Sequence, residues 1–130
     1  MRILIGQPIH EKGINQLRNE VGGNKDIDIV LYPEGYLSNE EELEEACSLA
    51  KENKVMIITS YRKDSKDKAV IISNLGEKIL ERAKTKPDDN EELCPPLDVD
   101  YNGKRIGYIL CMEILKGVRD LKNLKDFLTS

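Results

Sequence analysis

Residues 100–114 read DYNGKRIGYILCMEI, and the rest of the chain is organised around this stretch. Ile106, Tyr108, Ile109 and Leu110 form a short apolar run, with the turn-forming pair Asn102-Gly103 just upstream. A run of that length and β-branched content predicts a buried strand. The strand delivers Cys111 at its carboxyl end, and a helical pattern follows from Met112 and Glu113. A thiol at a strand-to-helix junction can be held rigidly beside backbone N–H groups that have no partners of their own. Taken alone, Cys111 reads first as inert packing, because free cysteine is among the most buried residue types. The remainder of the chain shifts that balance.

Upstream, residues 2–6 (RILIG) predict a first strand, stopped by Gln7-Pro8. Ile14, Leu17 and Val21 share one face of a helix that Gly22-Gly23 should end. Residues 27–32 form a second strand, closed by Pro33 because proline cannot continue a central ladder. Glu34 therefore stands where a strand has just ended. Ser38 with Glu41 makes a capping box that opens a helix running to about Asn53. Leu43, Ala46, Cys47 and Ala50 share its inner face, so Cys47 reads as packing. Residues 55–59 (VMIIT) predict a third strand, 61–68 a polar connection, and 69–73 (AVIIS) a fourth strand. After the Asn74-Leu75-Gly76 turn, residues 78–83 fit a fifth strand or the start of a helix. Residues 86–96 read as a loop. Beyond Cys111, Ile114, Val118, Leu121, Leu124 and Leu128 are spaced for a closing helix. Helices alternating with near-continuous apolar strands mean an α/β layer fold.

The 130 residues are 39% hydrophobic and 34% charged, with a net charge of −4. That balance suits one soluble globular domain, residues 1–130, large enough for a single core. There is no basic stripe, which argues against a nucleic-acid partner. No segment approaches membrane-spanning length, and the N-terminal MRIL leads into a strand, not a signal peptide; no membrane partner is expected. The three cysteines, at positions 47, 94 and 111, lack CxxC spacing, and the chain has one His, so no metal site is expected. An odd cysteine count without a secretion signal predicts a reducing, cytoplasmic compartment. With no Trp and one Phe, the core must be aliphatic.

Two strand ends now carry suggestive groups, the Glu34 carboxylate and the Cys111 thiol. Residues 29–37, IVLYPEGYL, resemble the proline–glutamate motif of the carbon–nitrogen hydrolase (nitrilase) superfamily. Residues 107–113, GYILCME, are similar to that family's nucleophile motif, in which an apolar strand ends in Cys with an acid two residues on. Between them, Lys84-Thr85-Lys86-Pro87 stands where the family has its lysine motif, with Lys84 the match and Lys86 the other candidate. Glu92 stands eight residues after Lys84, at the offset of a second family glutamate. The departures are Arg82-Ala83, where a tyrosine is usual, and Lys86-Pro87 in place of His-Leu. The chain also ends at Ser130, soon after Cys111, where family members continue. The resemblance implies a nitrilase-like α-β-β-α sandwich of which this chain is the first half only, its sheet covered by helices on one face.

The resemblance also implies a chemistry. Glu34 would take the proton from Cys111, because a neutral thiol is a poor nucleophile, and would return it to the departing ammonia or amine. Lys84 and the Met112 N–H would stabilise the oxyanion, and Glu92 would orient Lys84. The substrate would be a small amide or nitrile, and no cofactor or metal is implied. The alternatives are a catalytically silent, truncated hydrolase domain serving binding or assembly, and an unrelated flavodoxin-like domain with helices on both sheet faces. An apolar sheet face without a second sheet to cover it predicts a homo-oligomer.

Overall fold

A computed structural model describes residues 2–9, 11–83, 98–101 and 104–107, the last two segments at the level of the backbone. The elements are β1 (Ile3–Ile5), α1 (Asn15–Gly23), β2 (Ile29–Leu31), α2 (Glu40–Asn53), β3 (Met56–Lys63), β4 (Lys66–Ile72), β5 (Lys78–Ala83), β6 (Asp98–Tyr101) and β7 (Lys104–Gly107). Strands β1 to β5 form one sheet in sequence order, parallel from β1 to β3 and antiparallel from β3 to β5. The two parallel steps each need a crossover, and α1 and α2 supply them.

Side chains alternate across the sheet, so its two faces can be read from the register. Val30 and Tyr32 from the β2 segment, Ile57 and Tyr61 of β3, and Val70 and Ile72 of β4 face the helices. They pack there with Ile14, Leu17 and Val21 of the α1 segment and with Leu43, Ala46, Cys47 and Ala50 of α2. Both helices therefore cover the same face. That arrangement, with strands in simple sequence order, is not the flavodoxin-like one, in which order 2-1-3-4-5 places helices on both faces. Cys47 is buried in this core, as expected from its place on the inner face.

The opposite face carries Ile29, Met56, Ile58, Ile71 and Leu80, all buried. Among the described residues, the large apolar strand side chains that stay exposed are Ile3 (53%) and Ile5 (72%) of the edge strand β1. Register aligns Ala69 with Arg82 and Ile71 with Leu80, so Arg82 lies on this second face. It is 1% exposed, which composition alone would not predict for an arginine.

Several elements differ from the sequence reading. The segment expected as a polar connection over 61–68 is a β-hairpin, with β3 running on to Lys63 and β4 starting at Lys66. Its two turn residues, Asp64 and Ser65, both have positive φ (52° and 61°), the requirement of a turn that matches strand twist. The segment over 78–83 is a strand. The cap of α2 sits one residue later than predicted: Asn39 is the N-cap and its side chain accepts the Glu42 N–H at 2.9 Å, while Glu42 accepts the Ser38 N–H at 3.3 Å. α1 runs through both glycines to Gly23. β7 lies at the start of the stretch expected to lead to Cys111 and pairs antiparallel with β6 in a two-stranded sheet, Tyr101 aligned with Lys104; residues 108–110 of that expected strand and the helix expected beyond Cys111 lie outside the described residues. β6 falls in a stretch for which the sequence analysis predicts no separate strand. Among the described residues, no helix is long and apolar enough to cross a membrane.

Candidate functional site

Glu34 is the predicted site residue that the described structure contains. Lys84, Lys86, Glu92, Cys111 and Met112 lie outside the described residues, so their placement relative to Glu34 is not part of the geometry below. Glu34 sits in the connection between β2 and α2, just past the carboxyl end of a central parallel strand, and it is half-buried. Ligand sites of open α/β sheets form at such ends.

The connection is tied down along its length. The Tyr32 N–H donates to the Ile58 carbonyl at 2.9 Å, continuing the β2–β3 ladder one step past the strand. Pro33 has no N–H to give and stops the ladder. Gly35 turns the chain at φ +81°, a left-handed conformation that glycine adopts without cost. Its N–H donates to Ser60 Oγ at 2.6 Å. The chain then rejoins β3: Leu37 and Tyr61 form a parallel bridge, the Leu37 N–H donates to the Ser60 carbonyl and the Arg62 N–H to the Leu37 carbonyl, both at 3.2 Å.

Two tyrosines brace the same segment from the α1 side. Their rings stack with centroids 4.1 Å apart and planes 29° from parallel. The Tyr36 hydroxyl accepts the Leu17 N–H at 3.2 Å, in the first turn of α1, where backbone donors lack helical partners. The Tyr32 hydroxyl makes a short hydrogen bond to Glu20. Burial first, then this Glu20 contact, raises the Tyr32 pKa far above the usual phenol range. Burial pushes Tyr36 up to about 12, against the lowering effect of the Leu17 contact. Both hydroxyls stay protonated at physiological pH, so neither adds charge beside Glu34.

Gln16 joins the β1–α1 connection to this brace. Its Nε2 donates to the Gln7 carbonyl at 2.7 Å and to Glu20 Oε1 at 3.2 Å, and its Oε1 accepts the Ile9 N–H at 3.0 Å. Between the two connections lies a cavity of about 490 Å³, with Pro8, Glu11, Gln16, Glu34, Gly35 and Tyr36 among its lining. That is room for a small organic molecule. Glu34 is thus a carboxylate residue on a backbone-anchored turn at the wall of a cavity. Among the described residues there is no group of three or more His, Cys, Asp or Glu able to hold a metal ion.

No protein-family model matches the chain, and no curated protein matches it in sequence. Solved structures do match. An amidase from Nesterenkonia sp. superposes with a TM-score of 0.68 at 13% identity, covering 88% of this chain and 56% of that one. A mutant of the Nesterenkonia sp. AN1 amidase from the nitrilase superfamily gives 0.62 at 14% identity, covering 84% of this chain and 55% of its own. The chain has a nitrilase-like fold. Another mutant of that amidase, with a TM-score of 0.67 at 13% identity and coverage of 88% and 56%, carries the acetamide moiety of fluoroacetamide covalently at its active-site cysteine. The chain spans little more than half the length of these nitrilase-fold amidases.

Sequence reasoning passes over Ser60, Tyr36 and Gln16 as contributors to this region. Arg82 stands where the resembled family usually has a tyrosine, and it is buried on the second sheet face. Ser60 offered no signal beyond ending an apolar run. Tyr36 could have been found, since an aromatic two residues past the glutamate of IVLYPEGYL is poorly explained as a solvated loop residue.

Proposed function

We propose that the protein is a hydrolase of non-peptide carbon–nitrogen bonds, acting on small amides or nitriles through Cys111, Glu34 and Lys84. The support is the position of Glu34, on a braced turn at the wall of a cavity, within a fold shared with nitrilase-superfamily amidases. The cavity volume suits a small substrate and no cofactor is required.

In the proposed cycle Glu34 takes the proton from the Cys111 thiol, and the thiolate attacks the amide carbon. The carbonyl electrons move to oxygen, and Lys84 with the Met112 N–H stabilises the resulting oxyanion. Glu92 holds Lys84 in orientation. As the tetrahedral intermediate collapses, the carbon–nitrogen bond breaks and Glu34 gives its proton to the leaving nitrogen, which departs as ammonia. A thioester remains on Cys111. Water, deprotonated by Glu34, adds to it, and collapse releases the carboxylic acid while Sγ regains the proton. Homo-oligomerisation would use the exposed β1 edge with Ile3 and Ile5.

Ammonia release from acetamide and butyramide tests the reading. Wild-type protein is expected to turn both over, and Cys111→Ala to lose the activity to background while Cys47→Ala keeps it. Full turnover by Cys111→Ala contradicts the proposal. Background ammonia from a folded wild-type protein favours the silent binding domain instead.

A further inference from the structure

The turn that carries Glu34 has three backbone attachments to β3 and one to a side chain. Tyr32 N–H binds the Ile58 carbonyl, Leu37 N–H binds the Ser60 carbonyl, and Arg62 N–H binds the Leu37 carbonyl. Those are ladder contacts, made by main chain and insensitive to residue type. The fourth is the 2.6 Å hydrogen bond from Gly35 N–H to Ser60 Oγ. It acts on the peptide that directly follows Glu34, at the point where the chain is most able to swing. Pro33 gives no hydrogen bond on one side, and Gly35 at φ +81° brings the widest conformational freedom on the other. Ser60 is itself completely buried in β3, so its hydroxyl is a fixed point and not a mobile surface group.

From this geometry we infer that Ser60 is a positioning residue for Glu34: its hydroxyl sets the orientation of the Glu34–Gly35 peptide and so the aim of the carboxylate into the cavity. The inference rests on Glu34 being the catalytic base. It predicts a particular kinetic signature. Ser60 does not line the cavity with the residues named above, so its loss should leave substrate binding alone and act on proton transfer, where small misplacements are costly.

The test is steady-state ammonia release from butyramide by wild type, Ser60→Ala and Cys47→Ala, with hydrogen exchange of the Gly35 amide followed in parallel. Ser60→Ala is expected to lower kcat by about 10- to 100-fold with KM changed by less than about twofold, the size of effect that misaligned catalytic groups produce. Its Gly35 amide should exchange faster than in wild type while Leu37 does not. Cys47→Ala, a core change away from the turn, should keep the wild-type kcat and thereby separate positioning from general destabilisation. Ser60→Cys keeps a small side chain, slightly larger than serine, and offers only a weak acceptor; it should show the same kcat loss should the alanine variant fold poorly. Wild-type kcat in both Ser60 variants, or unchanged Gly35 exchange, overturns the positioning role and leaves the hydrolase reading standing. A wild-type protein inert toward amides overturns both, so the two failures are distinguishable.

Discussion

Replacing Glu34 by glutamine is expected to lower kcat for small amides by about 10³-fold, the scale of a lost general base. Glutamine has nearly the same shape, and the backbone attachments of the turn at Tyr32, Gly35 and Leu37 do not depend on the carboxylate. The turn should therefore keep its path, and the variant should fold. In the proposed cycle, what is lost is the acceptor for the Cys111 proton and the donor for the leaving nitrogen. Both half-reactions would then suffer, because the proposal has one carboxylate serve acylation and deacylation in turn. Ammonia-release kinetics beside a thermal melt reads both quantities. Near-wild-type turnover in a folded Glu34→Gln protein would mean that the carboxylate on this turn is not the base.

The largest stability effect is expected at Gly6, just past β1. A Cβ at Gly6 would overlap the Tyr32 ring at Cζ, Cε1 and Cε2. Tyr32 cannot yield, since its hydroxyl is bound to Glu20, its ring is stacked on Tyr36 and its N–H is in the ladder to Ile58. Gly6→Ala should cost about 3 kcal/mol, the upper part of the usual overpacking range, and lower Tm by about 10 °C. Gly22→Ala is the contrasting change. It lies in α1 with nothing within 4 Å of the added Cβ, and should stabilise by up to about 1 kcal/mol through helix propensity alone. Equal melts for the two variants would show that the β1–Tyr32 contact is not the tight one described.

The order of helices and strands was legible where one physical signal dominated. Val30, Ile57 and Ile71 belong to apolar runs flanked by turn residues, and these runs gave β2, β3 and β4. The hairpin over 61–68 was hidden because Tyr61, Arg62, Lys66 and Lys68 mix polar ends with strand-compatible stems, and the pairing of β3 with β4 makes strands of them. The α2 cap was displaced by one residue because the sequence is degenerate there. Ser38 and Asn39 are adjacent cap formers, and Glu40, Glu41 and Glu42 satisfy either frame. β6 carries little signal because Asp98-Val99-Asp100-Tyr101 is short and half acidic, and its extended form is seen in its pairing with β7.

Of the candidate site residues Glu34 lies among the described ones, and its place was legible in a different way. Pro33 announces the end of β2, and that puts Glu34 at a strand end without any structure. The groups that hold Glu34 in place were not readable. Ser60 reaches Gly35 across 25 positions, and Tyr36 reaches Leu17 across 19. No local pattern encodes such contacts, since they exist only after the sheet has assembled.

Labelling with fluoroacetamide, followed by peptide mass mapping, reads the nucleophile directly. An activated thiolate displaces fluoride and retains the acetamide moiety as a thioether, while an ordinary protonated thiol reacts slowly. Cys47 should stay unlabelled near neutral pH, because burial first, and then the Glu44 carboxylate, raise its pKa and keep it protonated. Its labelling should begin only as the pH rises past the usual thiol range. The expected result is one acetamide group, on Cys111, with Cys94 and Cys47 untouched and the rate strongly reduced in Glu34→Gln. Labelling spread equally over the three cysteines, or none at Cys111, would contradict a Cys111–Glu34 hydrolase site.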